Sequence, residues 1–340
     1  MIRVLVAEDS PTARALLAEI LGSDPEILVV GEARDGVEAV ELTQRLRPDL
    51  VTMDIQMPRL DGLAATREIM ITAPTPIVIV TAGVRPGEVE GSLDMLGQGA
   101  LDVLKKPRGP GSPGFDHEAG RLVATVKAMA RVKVVRRWRA AAARPASPPP
   151  ADPRSRARVV AIAASTGGPG ALRRVISGLP PDFAAPILVV QHIAPGFVAG
   201  LARWLDGVSP LRVKLAEEGE RLAHRTVYLA PDGGHLGVSA GRRATLGRSG
   251  PVDGFCPSAT PLFESVARSY GPSAVGVILT GMGRDGVRGL HALRRAGGRI
   301  IAQDESTSVV FGMPGAAIDA GLADAVLPVE AIAGRLATMA

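Results

Sequence analysis

Glu8 and Asp9 close the first apolar run of the chain, Asp54 closes another, Thr81 ends a third, and Lys106, followed by Pro107, ends a fourth. Three carboxyl groups brought to one point repel unless a hard cation joins them, so Glu8, Asp9 and Asp54 read as an oxygen-rich Mg²⁺ site. With the Thr81 hydroxyl and the Lys106 ammonium added, the set has the parts to hold a phosphoryl group on Asp54, whose carboxylate is the attacking nucleophile. The bland reading is that strand-end acids cap the helices that follow. For one Asp, capping is the better reading; for a whole set of complementary groups at matching positions, the site is.

A second set lies beyond residue 158. An apolar run leads straight into Ser165-Thr166-Gly167-Gly168-Pro169-Gly170, a Gly-rich turn before a helix. As a dinucleotide loop it would need G-x-G-x-x-G and an acid closing the next strand; the chain has GGPG and Gln191-His192 instead. Read as catalysis, the features cohere. A serine hydroxyl needs a base to take its proton, His192 ends the adjacent strand, and Asp285, in LTGMGRDG, ends a third and would orient the imidazole. The order Ser, His, Asp differs from those of chymotrypsin, subtilisin and the α/β-hydrolases, and Ala163 stands at the first glycine of G-x-S-x-G. Each residue also has a plain use: Ser165 as a helix N-cap, His192 as a satisfied half-buried histidine, Asp285 as another cap. Singly those uses prevail; the three together at strand ends favour a nucleophile, a base and an orienting acid.

The elements that must position these groups are legible as alternating strand and helix periods. IRVLVAE, ILVVGEA, DLVTMDI, PIVIVTA and ALDVLKK predict five strands with helices between and after them, a (βα)5 arrangement of the flavodoxin-like kind. RVVAIAA, PILVVQHI, AVGVILTG, RIIAQDE and ADAVLP predict a second, doubly wound parallel sheet. Between about 212 and 250 the helical period vanishes and short strands with Gly-rich turns predict a small antiparallel excursion. The fold class is α/β in both parts. In such sheets ligands sit beyond the carboxyl ends of the strands, where both candidate sets fall.

With 340 residues, 46% apolar and 21% charged, the chain is suited to two globular domains and is not a disordered one. Aromatics are only 3%, so the cores must be built from Ala, Val, Leu and Ile. The single cysteine, Cys256, excludes an intramolecular disulfide and fits a reducing compartment. No apolar run is long enough to span a bilayer, and MIRVLVAED reads as a strand rather than a signal peptide, which predicts a cytoplasmic protein without membrane insertion. The net charge of +5 is unevenly placed. Residues 1–130 carry 13 basic and 19 acidic side chains, residues 131–158 nine and one, and residues 159–340 carry 17 and 14. The basicity thus lives in one Pro-rich segment, including Pro148-Pro149-Pro150, that reads as a solvated linker. A DNA-binding output domain would be more basic and show a helix-turn-helix pattern, so no nucleic-acid partner is expected.

AEDSP, MDIQMPRLDG around Asp54, VTA at Thr81 and KKP at Lys106 closely resemble the response-regulator receiver domain. AIAASTGGP, VVQHIAPGF, VYLAPDGGH, VILTGMGRDG and AQDESTSVVFGMP resemble the catalytic domain of the chemotaxis protein-glutamate methylesterases, the two-domain CheB family. The resemblance implies a receiver at 1–125, a helix end and Pro/Arg-rich linker at 126–157, and a methylesterase domain at 158–340. It implies phosphorylation of Asp54 by a chemotaxis histidine kinase, Mg²⁺ held by Glu8 and Asp9 with Asp54, and support from Thr81 and Lys106. It further implies Ser165 as nucleophile, His192 as general base and acid, Asp285 as orienting carboxylate, and an oxyanion site near Thr166 and the backbone of Met282, with no cofactor. The substrate would be a glutamate γ-methyl ester on a cytoplasmic helix of a chemoreceptor, with deamidation of receptor glutamines as the related activity. The alternative is a response regulator whose second domain only binds a partner. Three places depart from the family: Val103 stands where many receivers carry an aromatic, DGFCPSATP replaces a basic stretch before Pro-Ser, and VAGLARWL lacks the usual hydroxyl residues. Cys256 then lies near the presumed active face, either as a second nucleophile or, more simply, as a buried structural thiol.

Overall fold

The computed structural model describes residues 1–82, 93–96, 98–132 and 156–340. The chain divides into two compact units, Met1–Ala142 and Ala143–Ala340. Between the fourth and fifth strands, where a helix is expected, residues 93–96 are helical and 83–92 lie outside the described residues, as does most of the expected linker, 133–155.

The first unit is a five-stranded sheet in the order β2-β1-β3-β4-β5, every pairing parallel. Its strands are β1 (Ile2–Ala7), β2 (Ile27–Ala33), β3 (Leu50–Met53), β4 (Ile77–Thr81) and β5 (Asp102–Lys105). Helices α1 (Pro11–Gly22), α2 (Gly36–Leu46), α3 (Gly62–Thr72) and α4 (Phe115–Met129) complete it. β3 and β4 are buried along their whole length, as unbroken apolar runs covered on both faces must be. The strand order reverses between β1 and β3, and the crevice at that reversal is where the acidic residues emerge.

The second unit is built on a seven-stranded parallel sheet in the order β14-β13-β12-β6-β7-β9-β8. Its strands are β6 (Val159–Ala164), β7 (Ile187–Gln191), β8 (Arg212–Leu215), β9 (Thr226–Leu229), β12 (Ala274–Ile278), β13 (Arg299–Gln303) and β14 (Ala325–Leu327). Helices α5 (Gly168–Ser177), α6 (Val198–Asp206), α7 (Ala259–Tyr270), α8 (Val287–Arg295), α9 (Met313–Asp319) and α10 (Val329–Ala337) flank it. The antiparallel excursion is smaller than the sequence suggests. Among the strands of this stretch β10 (His235–Val238) and β11 (Ala244–Gly247) pair antiparallel, with an isolated antiparallel bridge between Arg221 and Arg243, whereas β8 and β9 join the main sheet in parallel. The link between β8 and β9 has no helix, so the alternation that marks a parallel crossover is missing from that stretch. The core around Phe263, Leu262, Leu290, Ile278 and β6 is almost wholly aliphatic, as the aromatic content requires. The order reverses between β6 and β12, and Ser165 and the loop carrying Asp285 leave the sheet there.

Candidate functional site

In the first unit β1 delivers Glu8 and Asp9 and β3 delivers Asp54; ligand oxygens from all three lie within 4.8 Å of one another. Glu8 and Asp54 are buried and Asp9 is exposed. The half-buried Lys106 places Nζ 2.7 Å from Glu8 Oε2 and 3.0 Å from Asp54 Oδ2. Thr81 is buried at the end of β4, and its carbonyl accepts the Lys106 N–H at 2.8 Å, which fixes where the lysine leaves the sheet. Gly62 allows α3 to pass close by, since a Cβ there would lie 2.0 Å from the Asp54 carbonyl oxygen. None of the acids caps a following helix. Ser10 caps α1 and Asp61 caps α3, so the carboxylates are left to the cluster.

Burial raises the Glu8 carboxyl above its ordinary range; Lys106 opposes this and the charge of Asp54 adds to it. Burial likewise raises Asp54 against the pull of Lys106, with Asp9 adding to the rise. Burial works against the Lys106 ammonium, but Glu8 and Asp54 outweigh it and hold its pKa above the usual value. One lysine against three converging carboxylates leaves negative charge that a hard dication would balance, and the all-oxygen donor set suits Mg²⁺. Val103 is buried on β5 opposite Ile79, so the position is filled by an aliphatic side chain with no polar end to expose.

In the second unit the register sets the arrangement. Ala164 of β6 lies opposite Gln191 of β7, and the His192 N–H donates to the Ala164 carbonyl at 2.9 Å, so Ser165 and His192 are the next residues of adjacent strands. On the other side, the Ser165 N–H donates to the Thr280 carbonyl at 3.0 Å. Gly281 follows, where a Cβ would lie 2.6 Å from Ser165 Cβ; only glycine lets this loop approach the serine. Ser165 and Thr166 are buried, each 8% exposed, and Met282 is half-buried. Among the described residues the backbone N–H groups of Thr166 and Met282 donate to no acceptor, so both are open to a developing oxyanion.

His192 Nε2 lies 2.9 Å from Asp285 Oδ2. The other ring nitrogen, Nδ1, is buried and has no hydrogen-bond partner among the described residues, Ser165 Oγ included. The Asp285 carboxylate also accepts from Ser258 Oγ at 2.6 Å, the Ala259 N–H at 2.7 Å and Thr260 Oγ1 at 3.2 Å. Burial pushes the Asp285 pKa up, but His192, Ser258 and Ala259 outweigh it and hold it below the usual carboxylate range. Ser165 caps no helix, and Asp285 accepts from the start of α7 rather than from the helix that follows it in the chain. The N-cap of α5 is Gly167 and that of α8 is Gly286, neither with a side-chain cap bond, so Ser165 and Asp285 do not cap the helices after them.

Four contributors escaped sequence reasoning. Phe255 lies flat on the His192 ring, centroids 4.1 Å apart and planes 5° from parallel. Gln191 Nε2 donates to the carbonyls of Ser165 at 2.7 Å and His192 at 2.9 Å, tying the two strand ends together. Ser258 and Thr260 grip Asp285. Ser258 is legible as an N-cap before a helical period, but nothing in the spacing reveals a carboxylate 27 residues away as its partner. Cys256 is half-buried rather than buried, because its loop lies at the edge of the site.

The two folds define a response regulator with an α/β output domain, in which Ser165 and His192 follow adjacent strands and His192 faces Asp285. A family model described as CheB methylesterase matches residues 160–336, and one described as response regulator receiver domain matches residues 4–112. Curated relatives named protein-glutamate methylesterase/protein-glutamine glutaminase share 59% identity in both Myxococcus xanthus (98% of this chain, 96% of that one) and Anaeromyxobacter dehalogenans (99% and 98%). The solved catalytic domain of the Thermotoga maritima CheB methylesterase is 42% identical, with a TM-score of 0.53, covering 54% of this chain and 99% of that one. The chain belongs to the CheB methylesterase family.

Proposed function

We propose that the chain removes methyl groups from glutamate γ-methyl esters of chemoreceptors, releasing methanol, deamidates receptor glutamines, and is switched by phosphorylation of Asp54. The observation that carries this reading is the buried His192–Asp285 pair, set one residue past the register that puts Ser165 beside His192. Ser165 Oγ attacks the ester carbonyl as its proton passes to His192 Nδ1. The imidazolium that forms is stabilised through Nε2 by Asp285, which stays ionised. The carbonyl oxygen, now negative, is met by the N–H groups of Thr166 and Met282; such a donor contributes about 10²–10³ in rate. Collapse of the tetrahedral adduct breaks the bond to the methoxy oxygen, which takes the proton from His192 and leaves as methanol. Water, deprotonated by the same imidazole, then cleaves the acyl-serine and restores the glutamate. A glutamine side chain follows the same course with ammonia as the leaving group. The alternative of a non-catalytic output domain is disfavoured by the family match and by the polar groups assembled around Ser165.

In the receiver, Glu8, Asp9 and Asp54 would hold Mg²⁺, which when bound neutralises phosphoryl oxygens. Asp54 accepts the phosphoryl group, Lys106 pairs with its charge, and Thr81 presents its hydroxyl to it. The phosphodonor would be a chemotaxis histidine kinase, and both partners place the chain in the cytoplasm. The receiver would span 1–125 and the esterase 158–340. Among the described residues no helix is long and apolar enough to cross a membrane. Methanol release from methyl-labelled receptor membranes, with and without acetyl phosphate, tests the whole reading: release that rises with the phosphodonor is expected, and its absence overturns it.

A further inference from the structure

The polar contacts around Asp285 do not end at the carboxylate. The Ser258 N–H donates to His235 Nδ1 at 3.1 Å, and His235 Nε2 meets the Gly250 carbonyl at 3.1 Å. One tautomer alone satisfies both bonds: the proton on Nε2 and a lone pair on Nδ1. His235 is buried, 3% exposed.

We propose that Phe255–Thr260 is a clamp on the His192–Asp285 pair, anchored by His235, and that His235, Ser258 and Thr260 are positioning residues for the ester hydrolysis. The inference rests on the function proposed above and adds residues to it. Ser258 Oγ accepts from the Thr260 N–H at 3.2 Å, so its own proton points at Asp285 Oδ1. Thr260 Oγ1 accepts from the Gly286 N–H at 3.1 Å, so its proton is directed to the same oxygen. The Ala259 N–H takes Oδ2. The first turn of α7 thereby determines where the carboxylate stands, and the carboxylate determines the edge of the His192 ring. Phe255, at the start of the same segment, determines its face. Ser258 and Thr260 are fully buried, so no water takes their place if they shift. His235 holds the segment at its middle, by the main chain of the residue that caps α7. It has no hydrogen bond to Asp285 or His192 among the described residues, so it acts through position and not as a proton carrier. Displacing a catalytic group by about 1 Å costs about 100-fold in rate.

Two substitutions separate the anchor from mere packing. In His235→Asn the side-chain carbonyl stands where Nδ1 stands and accepts the Ser258 N–H. In His235→Gln the amide reaches toward Gly250 and leaves that N–H without an acceptor. The full-length His235→Asn chain is expected to keep kcat within about fivefold of the parent, and His235→Gln to lose about 10- to 100-fold with KM changed less than twofold. Ser258→Ala is expected to fall in kcat by a similar factor at unchanged KM. A readout independent of turnover is the downfield His192 Nε2–H resonance in ¹H NMR. It should persist in His235→Asn and broaden or shift in His235→Gln. Equal losses in the two His235 variants, a loss carried by KM, or a resonance indifferent to the substitution would overturn the clamp. If the parent chain releases no methanol while the resonance follows the Ser258 contact, the clamp stands and the esterase reading falls.

Discussion

Asp54 and Asp285 are both buried carboxylates beyond the ends of parallel strands, each at a point where strand order reverses, and burial opposes ionisation of both. Their surroundings answer that opposition differently. For Asp54 burial prevails: Lys106, its cationic partner among the described residues, does not offset it, Asp9 adds to it, and the pKa is raised. Asp285 has the His192 imidazole 2.9 Å away and accepts from two hydroxyls and a helix N-terminus, which together outweigh burial, so its pKa is lowered. A carboxylate that must take up a cation and a phosphoryl group is left under-compensated, and one that must only hold an imidazole is saturated. On the function proposed above, the same fold position would make a reactive acid in one unit and a fixed one in the other.

The comparison breaks most visibly at the nucleophile. Ser165→Ala is expected to reduce methanol release about 10⁴-fold or more with the fold intact, leaving only the oxyanion groups and binding. Phosphorylation of Asp54 by acetyl phosphate, followed by intact-protein mass spectrometry, should be unchanged in that variant. Residual turnover near the parent value would move the chemistry elsewhere.

Asp285→Asn should follow, with a fall of about 10³- to 10⁴-fold in kcat, because the amide presents an N–H to a ring nitrogen that must itself donate. Retention of most activity would show that Phe255 alone orients the imidazole.

Asp54→Asn should abolish phosphodonor stimulation while basal turnover stays as in the parent; a coupling of this kind is about 5- to 150-fold. It also tests the electrostatics. A carboxyl whose pKa is raised by folding lends its stability in the protonated form, fully below the ordinary carboxylate range, and loses it as pH rises through the raised value. The neutral amide should therefore raise the thermal midpoint of the receiver at neutral pH, without divalent cations, by about a few degrees. The gain should shrink as pH falls below the carboxylate range. A lowered midpoint at neutral pH would mean that the Lys106 pair outweighs burial. For Asp285 the sign is opposite: its contribution is present above the ordinary carboxylate range and lost as pH falls through its lowered pKa.

The smallest effect is expected at Cys256→Ser. Turnover within about twofold of the parent, measured by methanol release, would leave Ser165 as the nucleophile; loss comparable to Ser165→Ala would give the role to the thiol.

Local pattern is enough for much of this protein, because parallel α/β folds write strand, helix and strand end as apolar runs and their terminations. Glu8, Asp9, Asp54, Thr81 and Lys106 are legible as one cluster for that reason, and Ser165, His192 and Asp285 as another: each lies at the carboxyl end of a strand or in the loop that follows it. The sheet membership of β8 and β9 is not legible, since parallel pairing without an intervening helix leaves no alternating period. Nor is the apparatus around the triad. Whether Ser165 caps α5 depends on which residue turns left-handed first, and Gly167 does. Whether Asp285 is ionised, and where its imidazole partner points, depends on a helix start 25 to 27 residues away, on Phe255 just before it and on His235 of β10. Strand ends are determined by neighbours along the chain. Hydrogen bonds to a buried carboxylate are determined by neighbours in space, and only the packed fold brings them together.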